Sequence, residues 1–457
     1  MNTNQSPSRR DFIRTAGQVA AVTALAGAVV PTVHAAGNDL IQLALIGCGG
    51  RGSGAVVDAL NTKTGPIKLV AMADAYEDRL KGSYNSLNGS HAKQMEVPED
   101  RRFVGFDAYM RAIDCLKPGD VAIFATPLAF RWVHFTYAIQ KGINVFMEKP
   151  LTADGVTSKK MIALAEQASA KNLKVGVGLM SRHSRPLQEL AKRIQDGELG
   201  DIIAMRGYRM HGPVGYFASI KKPGNISELD YQIRRFHSML WAGGGCFSDF
   251  YIHIIDHLCW MKGSWPVKAH GVGGRHYKVA SDGTPYIDQN FDSYAVEYTF
   301  NDGAKMFFDG RCMNGCADIY NSYIHGSKGS AVGSSGGDCG GPSAIFKGQS
   351  PVRADRVWAS TDGSNPYQNE WDELIAAIRN DQPYNEVQRG VEASLVTSMG
   401  RMACHTGQEI TFEAMLNSDH EFAPGLDKIN AGSPAPVQPD ASGMYPQPEP
   451  GKKKREY

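Results

Sequence analysis

Residues 40–54, LIQLALIGCGGRGSG, constrain the fold of this chain more than any other stretch. Residues 40–46 form a short run rich in Leu and Ile, the pattern of a strand buried on both faces of a parallel sheet. The run ends in Gly47-Cys48-Gly49-Gly50-Arg51-Gly52, which reads G-x-G-x-x-G, and residues 55–60 have the composition and spacing of a helix start. In that setting one glycine makes the tight turn, one lets backbone approach a pyrophosphate, and one lets helix pack on strand. The helix N-terminus then faces the phosphates. A second strand-like run, residues 67–73, ends in Asp74, 22 residues beyond Gly52. An acid at about that distance bonds the adenosine ribose hydroxyls and repels a 2′-phosphate. The competing reading of Asp74 is a turn residue that caps the strand. Together the two features predict an NAD-type nucleotide domain, with NADP not excluded because a neighbouring loop can offset Asp74.

Residues ahead of that strand read as an address. Ser8-Arg9-Arg10-Asp11-Phe12-Ile13-Arg14 is a twin-arginine signature, followed by an apolar stretch over residues 16–30 and the small-residue cleavage pattern Val33-His34-Ala35. The apolar stretch is shorter than the roughly 20 residues of a membrane span, so the mature form is expected to carry none. The expected destination is the periplasm or another exported location. Because that route carries folded proteins, often with cofactor inside, an exported dinucleotide enzyme leaves the nicotinamide pool behind. It is expected to hold its cofactor tightly and to regenerate it on the enzyme.

Without residues 1–35 the chain still has length for two domains with substantial cores. The formal charge is +1 over the full sequence, a balance that points to no nucleic acid or anionic membrane as partner. The dense basic run Lys452-Lys453-Lys454-Arg455 follows a Pro-rich stretch and reads as part of a disordered tail. Eight cysteines are scattered without zinc-like pairs. Buried thiols are the reading for them, with a bridge between Cys312 and Cys316 as the alternative.

From residue 39 to about residue 147 strand and helix patterns alternate. A polar, loop-rich insert is expected over residues 81–100, and helices over 106–116 and 132–141. Strands are expected over 120–127 and 144–147. In an open parallel sheet ligands gather beyond the carboxyl ends of strands. Gly47, Gly49, Gly50, Arg51, Gly52, Asp74, Thr126, Pro127, Glu148 and Lys149 occupy such ends, and His134 lies in the helix that follows. A lysine there can hydrogen-bond a substrate hydroxyl; the plainer reading of Lys149 is a surface residue beside a turn proline. Beyond residue 201 the pattern shifts to strands and loops, with a polar insert between residues 208 and 240 and a hairpin turning on Asn301-Asp302-Gly303. The domains read as residues 1–35 (signal), 39–175 (Rossmann nucleotide domain), 176–428 (substrate and oligomerisation domain) and 429–457 (Pro-rich disordered tail). The fold class is α/β, an N-terminal Rossmann domain joined to a C-terminal α/β domain with a largely antiparallel open sheet.

A second dense signal is GGGCFSDFYIHIIDHL, residues 243–258. Glycines precede a helical pattern in which Asp249, His253 and Asp256 share one face. An Asp-x-x-x-His pair can orient an imidazole and tune it to remove a proton from a sugar hydroxyl while hydride leaves the same carbon. Two other readings stay open: a metal pair of His253 and His257 with Asp249 as third ligand, and a core histidine satisfied by Asp256. No metal is assigned.

With these residues in hand, the chain resembles the glucose–fructose oxidoreductase / inositol dehydrogenase / rhizopine-catabolism (Gfo/Idh/MocA) family over about residues 41–412. The motifs that carry the likeness are the glycine loop 47–52, Asp74, Thr126-Pro127 with His134 downstream, Glu148-Lys149-Pro150 and Asp249-x-x-x-His253-x-x-Asp256. The resemblance implies dimers or tetramers formed through the open sheet. It also implies that Lys149 polarises the substrate hydroxyl, that His253 is the acid/base and that Asp249 is its partner. The expected activity is NAD(P)-dependent oxidation of a hydroxyl on a sugar, sugar derivative or cyclitol. A redox-neutral glycosidase or lyase working through a transient keto-sugar, and a non-catalytic carbohydrate-binding protein, are the alternatives.

Overall fold

The computed structural model describes residues 40–457. The twin-arginine signature, the apolar stretch and the cleavage pattern lie outside the described residues. Among the described residues two sheets organise the chain. The first half runs β1 (Ile41–Ile46), α1 (Gly50–Leu60), β2 (Ile67–Asp74), α2 (Glu77–His91), β3 (Arg102–Val104), α3 (Ala108–Ile113), β4 (Val121–Phe124), α4 (Arg131–Lys141), β5 (Asn144–Met147), α5 (Gly155–Ala170) and β6 (Val175–Val177). These six strands pair in the order β3-β2-β1-β4-β5-β6, each pair parallel. The order reverses between β1 and β4, and a crevice for ligand opens at such a switch point.

The apolar run of β1 has a direct cause. Ile41, Leu43 and Leu45 bury against one cluster, and Ala44 and Ile46 against another on the opposite face. Apart from the half-buried Gln42, the strand's residues meet no water on either face and are apolar; each large side chain buried this way contributes about 1.5–3 kcal/mol. Past the strand, Gly52 is set by contact: a Cβ there would lie 2.2 Å from the Gly47 carbonyl oxygen. Part of the insert expected as loop over 81–100 is helical instead, in α2. Its polar surface masked a stripe of three buried positions, Leu80, Ser83 and Leu87.

The second half adds α6 (Arg185–Gln195), β7 (Ile202–His211), α7 (Glu228–Arg234), α8 (Leu240–Gly243), α9 (Gly245–Lys262), β8 (Lys268–Gly274), β9 (Ser293–Thr299), β10 (Lys305–Cys312), β11 (Ile319–Gly326), β12 (Gly329–Ser335), β13 (Ala344–Phe346) and β14 (Arg356–Ala359). Then come α10 (Pro366–Arg379), α11 (Val387–Thr406), β15 (Ile410–Thr411) and α12 (Phe412–Asn417). The nine strands pair in the order β14-β13-β12-β11-β7-β10-β9-β8-β15. Only β10 and β7 run parallel among these pairs. β9 and β10 alternate strictly, with Tyr294, Val296, Tyr298, Met306 and Phe308 buried. Helix α9 comes so close that a Cβ on Gly207 of β7 would lie 2.7 Å from Ile254. No helix among the described residues is long and apolar enough to cross a membrane.

Two expected boundaries are corrected. A division at residue 175 would split β6, and α10 returns to the first sheet, where Trp371, Leu374, Ile375 and Ile378 join the cluster holding Leu43 and Leu45. The nucleotide-side unit is therefore discontinuous in sequence. Residues 429–457 are not a disordered tail: Gln232 Nε2 donates to the Val437 carbonyl at 2.7 Å, and Ala435, Val437, Tyr445 and Glu456 are buried. Proline prevents this segment from forming regular structure, but isolated anchors still fasten an extended chain.

Candidate active site

A cleft of about 140 Å³ opens at the switch point. One wall is the Rossmann side, with Gly47, Gly49, Asp74, Thr126, Pro127 and His134; the other comes from the 208–240 insert, with Tyr216, Ile233, Arg234 and Phe236. Asp74 accepts the Cys48 N–H at 2.7 Å through Oδ2 and the Tyr76 N–H at 2.9 Å through Oδ1. A carboxylate has about four lone-pair sites, so acceptor capacity remains for ribose hydroxyls. A glycine loop at a helix N-terminus, an acidic strand end and an apolar-walled cleft fit a dinucleotide.

Other residues expected at the nucleotide lie outside the cleft lining or have further contacts. Gly50, Arg51, Gly52, Glu148 and Lys149 do not line this cleft. Arg51 Nε donates to the Glu148 carboxylate at 2.7 Å, fastening the start of α1 to the end of β5. His134 is buried against Phe124, Phe130 and Tyr109. Burial, with the nearby Arg131 charge, pushes its pKa down to about 3, so the ring is a neutral wall. Arg131 carried no sequence signal. Buried in full, it donates to the Glu148 carbonyl at 2.9 Å and the Thr126 carbonyl at 2.5 Å. It thereby locks the end of β4, on the cleft, to the residue before Lys149.

Lys149, beyond the residues that line the cleft, meets α9. Its Nζ donates to the Asp249 carbonyl at 2.6 Å and to Asp249 Oδ1 at 3.1 Å. An ammonium has three donors, which leaves one for a substrate oxygen. The other Asp249 oxygen, Oδ2, lies 3.0 Å from His237 Nε2. His237 Nδ1 accepts the Tyr216 N–H at 3.1 Å, so the proton sits on Nε2 and is donated to Asp249. Burial alone would raise the Asp249 carboxyl; Lys149 and His237 override it and hold the carboxyl well below the usual range.

His253 is one turn beyond Asp249 and buried, and its Nδ1 has no hydrogen-bond partner among the described residues. Burial, then the Lys149 and Arg209 charges, hold its pKa well below the ordinary histidine value. The expected Asp-x-x-x-His hydrogen bond is replaced: Asp249 turns to Lys149 and His237, and His253 stands alone. Asp256 does not orient His253 either, being held by Arg182 through two 2.8 Å bonds. His257 Nε2 is 2.8 Å from the Ser322 hydroxyl, so under the alternative metal reading the two histidines do not converge. His237 was missed because it lies in the insert, where no motif marks it.

Two further side chains reach this region. Arg209 Nε donates to His211 Nε2 at 3.0 Å. It lies 3.8 Å from Asp338, whose pKa burial pushes up to about 6 against the Arg209 and Lys149 charges. Asp338 sits on a Gly-rich loop after β12. The first residues of α9 explain why this constellation begins where it does. Gly244 and Gly245 both take left-handed φ values, +73° and +71°, which glycine adopts at no steric cost. The turn brings the Cys246 N–H to Asn290 Oδ1 at 2.8 Å and aims the first turn of α9 at Lys149.

Residues 187–332 match the sequence model of the GFO/IDH/MocA C-terminal domain. Inositol 2-dehydrogenase of Corynebacterium glutamicum (strain R) is 25% identical over 211 residues, 44% of this chain and 54% of that protein. The chain therefore spans about half the length of that curated relative. Aldose-aldose oxidoreductase of Caulobacter crescentus, solved with glycerol, superposes with a TM-score of 0.62 at 17% identity, covering 82% of this chain and 100% of that one. Levoglucosan dehydrogenase, solved with NADH and levoglucosan, gives 0.59 at 18%, covering 82% and 100%. At these identities the solved structures establish the shared fold.

Proposed function

We propose that this chain is an oxidoreductase of the Gfo/Idh/MocA type, acting on a secondary hydroxyl of a sugar, sugar derivative or cyclitol with a retained NAD. The observation that carries the reading is the meeting of Lys149 and Asp249, from segments 100 residues apart, at 3.1 Å beside a dinucleotide-shaped cleft. The inositol, aldose and levoglucosan enzymes among its likenesses support the substrate class.

In this mechanism the third N–H of Lys149 points at the substrate oxygen and stabilises the alkoxide as it forms. Asp249, kept ionised, fixes the lysine and accepts from a neighbouring substrate hydroxyl. His253, neutral and with a nitrogen unengaged, takes the hydroxyl proton. Gly47, Gly49 and the N-terminus of α1 would hold the pyrophosphate of an NAD and Asp74 its ribose, and the cofactor so held would supply the hydride acceptor. Asp74 favours NAD over NADP, although Arg79 and Arg234 line the same cleft.

Retention is supported by a latch across the nucleotide cleft. Arg79 donates to the Tyr216 hydroxyl at 2.7 Å, and Arg234 pairs with Asp78 through bonds of 3.0 and 3.1 Å. Arg234 also stacks over the Tyr76 ring at 3.9 Å. These contacts join the residues just after Asp74 to the insert. Retention agrees with the twin-arginine signature, and export of the folded, loaded protein is part of this proposal, as is self-association through the open sheet.

The test is the absorbance spectrum and extracted nucleotide of the purified protein, before and after myo-inositol, D-glucose and levoglucosan. Bound NAD that gains a reduced-nicotinamide band with one of them is expected. Protein that arrives empty, binds no NAD and changes with none of the three would sink the reading.

A further inference from the structure

The mechanism makes no use of Arg401, yet it is the most completely satisfied buried charge near the site. It lies on α11 with no exposed surface, and all five guanidinium N–H donors are engaged. Nη1 donates to the Gly244 carbonyl at 2.8 Å and the Ser248 hydroxyl at 2.9 Å. Nη2 donates to the Ala153 carbonyl at 3.1 Å and Glu456 Oε2 at 2.8 Å, and Nε to Glu456 Oε1 at 2.8 Å. Gly244 and Ser248 begin α9, and Ser248 directly precedes Asp249. Ala153 ends the short loop that starts at Lys149. One side chain therefore ties together the two segments whose meeting forms the site.

The same helix face makes two more ties to the lysine loop. Ser394 Oγ accepts the Leu151 N–H at 3.0 Å, and Ser398 Oγ donates to the Ala153 carbonyl at 3.3 Å. Residues 394, 398 and 401 recur at helical spacing and so form one ridge. The ridge carries a buried cation that requires an anion. Glu456 supplies it from the segment 429–457, where it also lies 2.7 Å from His405 Nδ1. Stacking of Tyr457 on Phe422, with ring centroids 4.9 Å apart, anchors that segment beside Asp154, which accepts the Phe422 N–H at 3.2 Å.

We propose that Glu456 and Arg401 are positioning residues for the Lys149–Asp249 pair: the closing segment, through its bidentate bond to Arg401, sets the distance between the lysine loop and the first turn of α9. This rests on the oxidoreductase reading for its kinetic consequence, but not for its structural one. Without the carboxylate, the guanidinium turns from the two carbonyls towards whatever anion or water it can reach. The loop and the helix are then free to shift against each other.

The test uses the full chain loaded with NAD, in the parent and in Glu456→Gln, Glu456→Asp, Arg401→Lys and Lys452→Ala. The activity-independent readout is the ring resonances of His237 and His253 in histidine-labelled protein. Both rings sense Asp249, and both are expected to shift in Glu456→Gln and to return most of the way in Glu456→Asp. With myo-inositol, D-glucose or levoglucosan, whichever the parent oxidises, kcat should fall about 10- to 100-fold in Glu456→Gln, as misplacement by about 1 Å would cause. KM and bound NAD should change little. Lys452, 81% exposed, should leave every readout alone when replaced. Unmoved His237 and His253 resonances in folded Glu456→Gln overturn the proposal, as does a lower melting temperature with unchanged kcat. If Glu456→Gln does not fold, Arg401→Lys, which keeps the charge but loses the two-point bond to Glu456, is judged by the same two criteria. A parent that oxidises none of the sugars defeats the oxidoreductase reading alone, and the resonances still decide this one.

Discussion

At the scale of single residues, charge placement decides which side chains act. Lys149 and Asp249 satisfy each other, so replacing Lys149 by Ala removes the alkoxide's partner and leaves a buried carboxylate short of a cation. A kcat at least about 100-fold lower is expected with NAD still bound, and near-normal turnover would reject the role. His253→Ala should behave alike. His237→Ala differs: it reaches Asp249 but not Lys149, so stopped-flow hydride transfer should slow by about tenfold while Lys149 keeps its bond. Glu456 provides a titration. Burial would raise its carboxyl, but Arg401 and His405 pull it from the ordinary 4.5 to about 2. Because the folded value is depressed, the pair stabilises the fold above about pH 4.5, and that stability disappears as the pH falls towards 2. Acid unfolding should show a component of a few kcal/mol over that window, absent in Glu456→Gln.

Elements carry different consequences for residues of one type. In the glycine loop, a Cβ on Gly52 collides with the Gly47 carbonyl at 2.2 Å, whereas one on Gly49 meets nothing within 4 Å. Gly49 is also extended at φ −83°, a conformation any residue adopts. Gly52→Ala should therefore cost about 1–3 kcal/mol in denaturant unfolding. Gly49→Ala should unfold like the parent, within about 0.5 kcal/mol, yet bind NAD about tenfold more weakly, because its methyl enters the cleft. Equal losses of stability in the two variants would show that α1 is packed otherwise. Helix α9 obeys a related rule at Gly244 and Gly245, where the entry turn, rather than side-chain chemistry, selects the residue.

For the whole molecule, the insert and the first sheet form the two walls of the cleft. The latch's ion pair, Arg234–Asp78, is worth little alone, about 0.2–1 kcal/mol, and is screened by salt, and the Arg79–Tyr216 hydrogen bond and the Arg234–Tyr76 stack stand beside it. Their combination is expected to set the cofactor's residence. In the triple variant Asp78→Ala, Arg79→Ala, Arg234→Ala, NAD dissociation measured by fluorescence should quicken about tenfold or more, and 1 M salt should reproduce part of the effect in the parent. A release rate indifferent to both would place retention inside the cleft. The same insert carries His237, so the segment that walls the cleft also orders the Asp249 carboxylate.

What could be read from the chain before folding was whatever rests on local pattern. Strands of the first sheet are buried on both faces, so their apolar runs and glycine boundaries stand out, and β1, β2, β4 and β5 fall where the residues put them. Gly47 to Gly52, Asp74, Lys149 and the helix bearing Asp249 and His253 were legible because strand ends and helix spacing are short-range properties. The partnerships among them were not. Asp249 had three neighbours on its own helix or beyond it to choose from, and the choice of Lys149 and His237 depends on where the insert lies against α9. Helix α10 and residues 429–457 were misplaced for the same reason: amphipathic or Pro-rich segments reveal that they bury something, but not which surface receives them. Covalent neighbours prescribe backbone shape, whereas pairing between charges separated by 50 or 100 residues is settled only when packing excludes water and leaves each buried ion a single place to go.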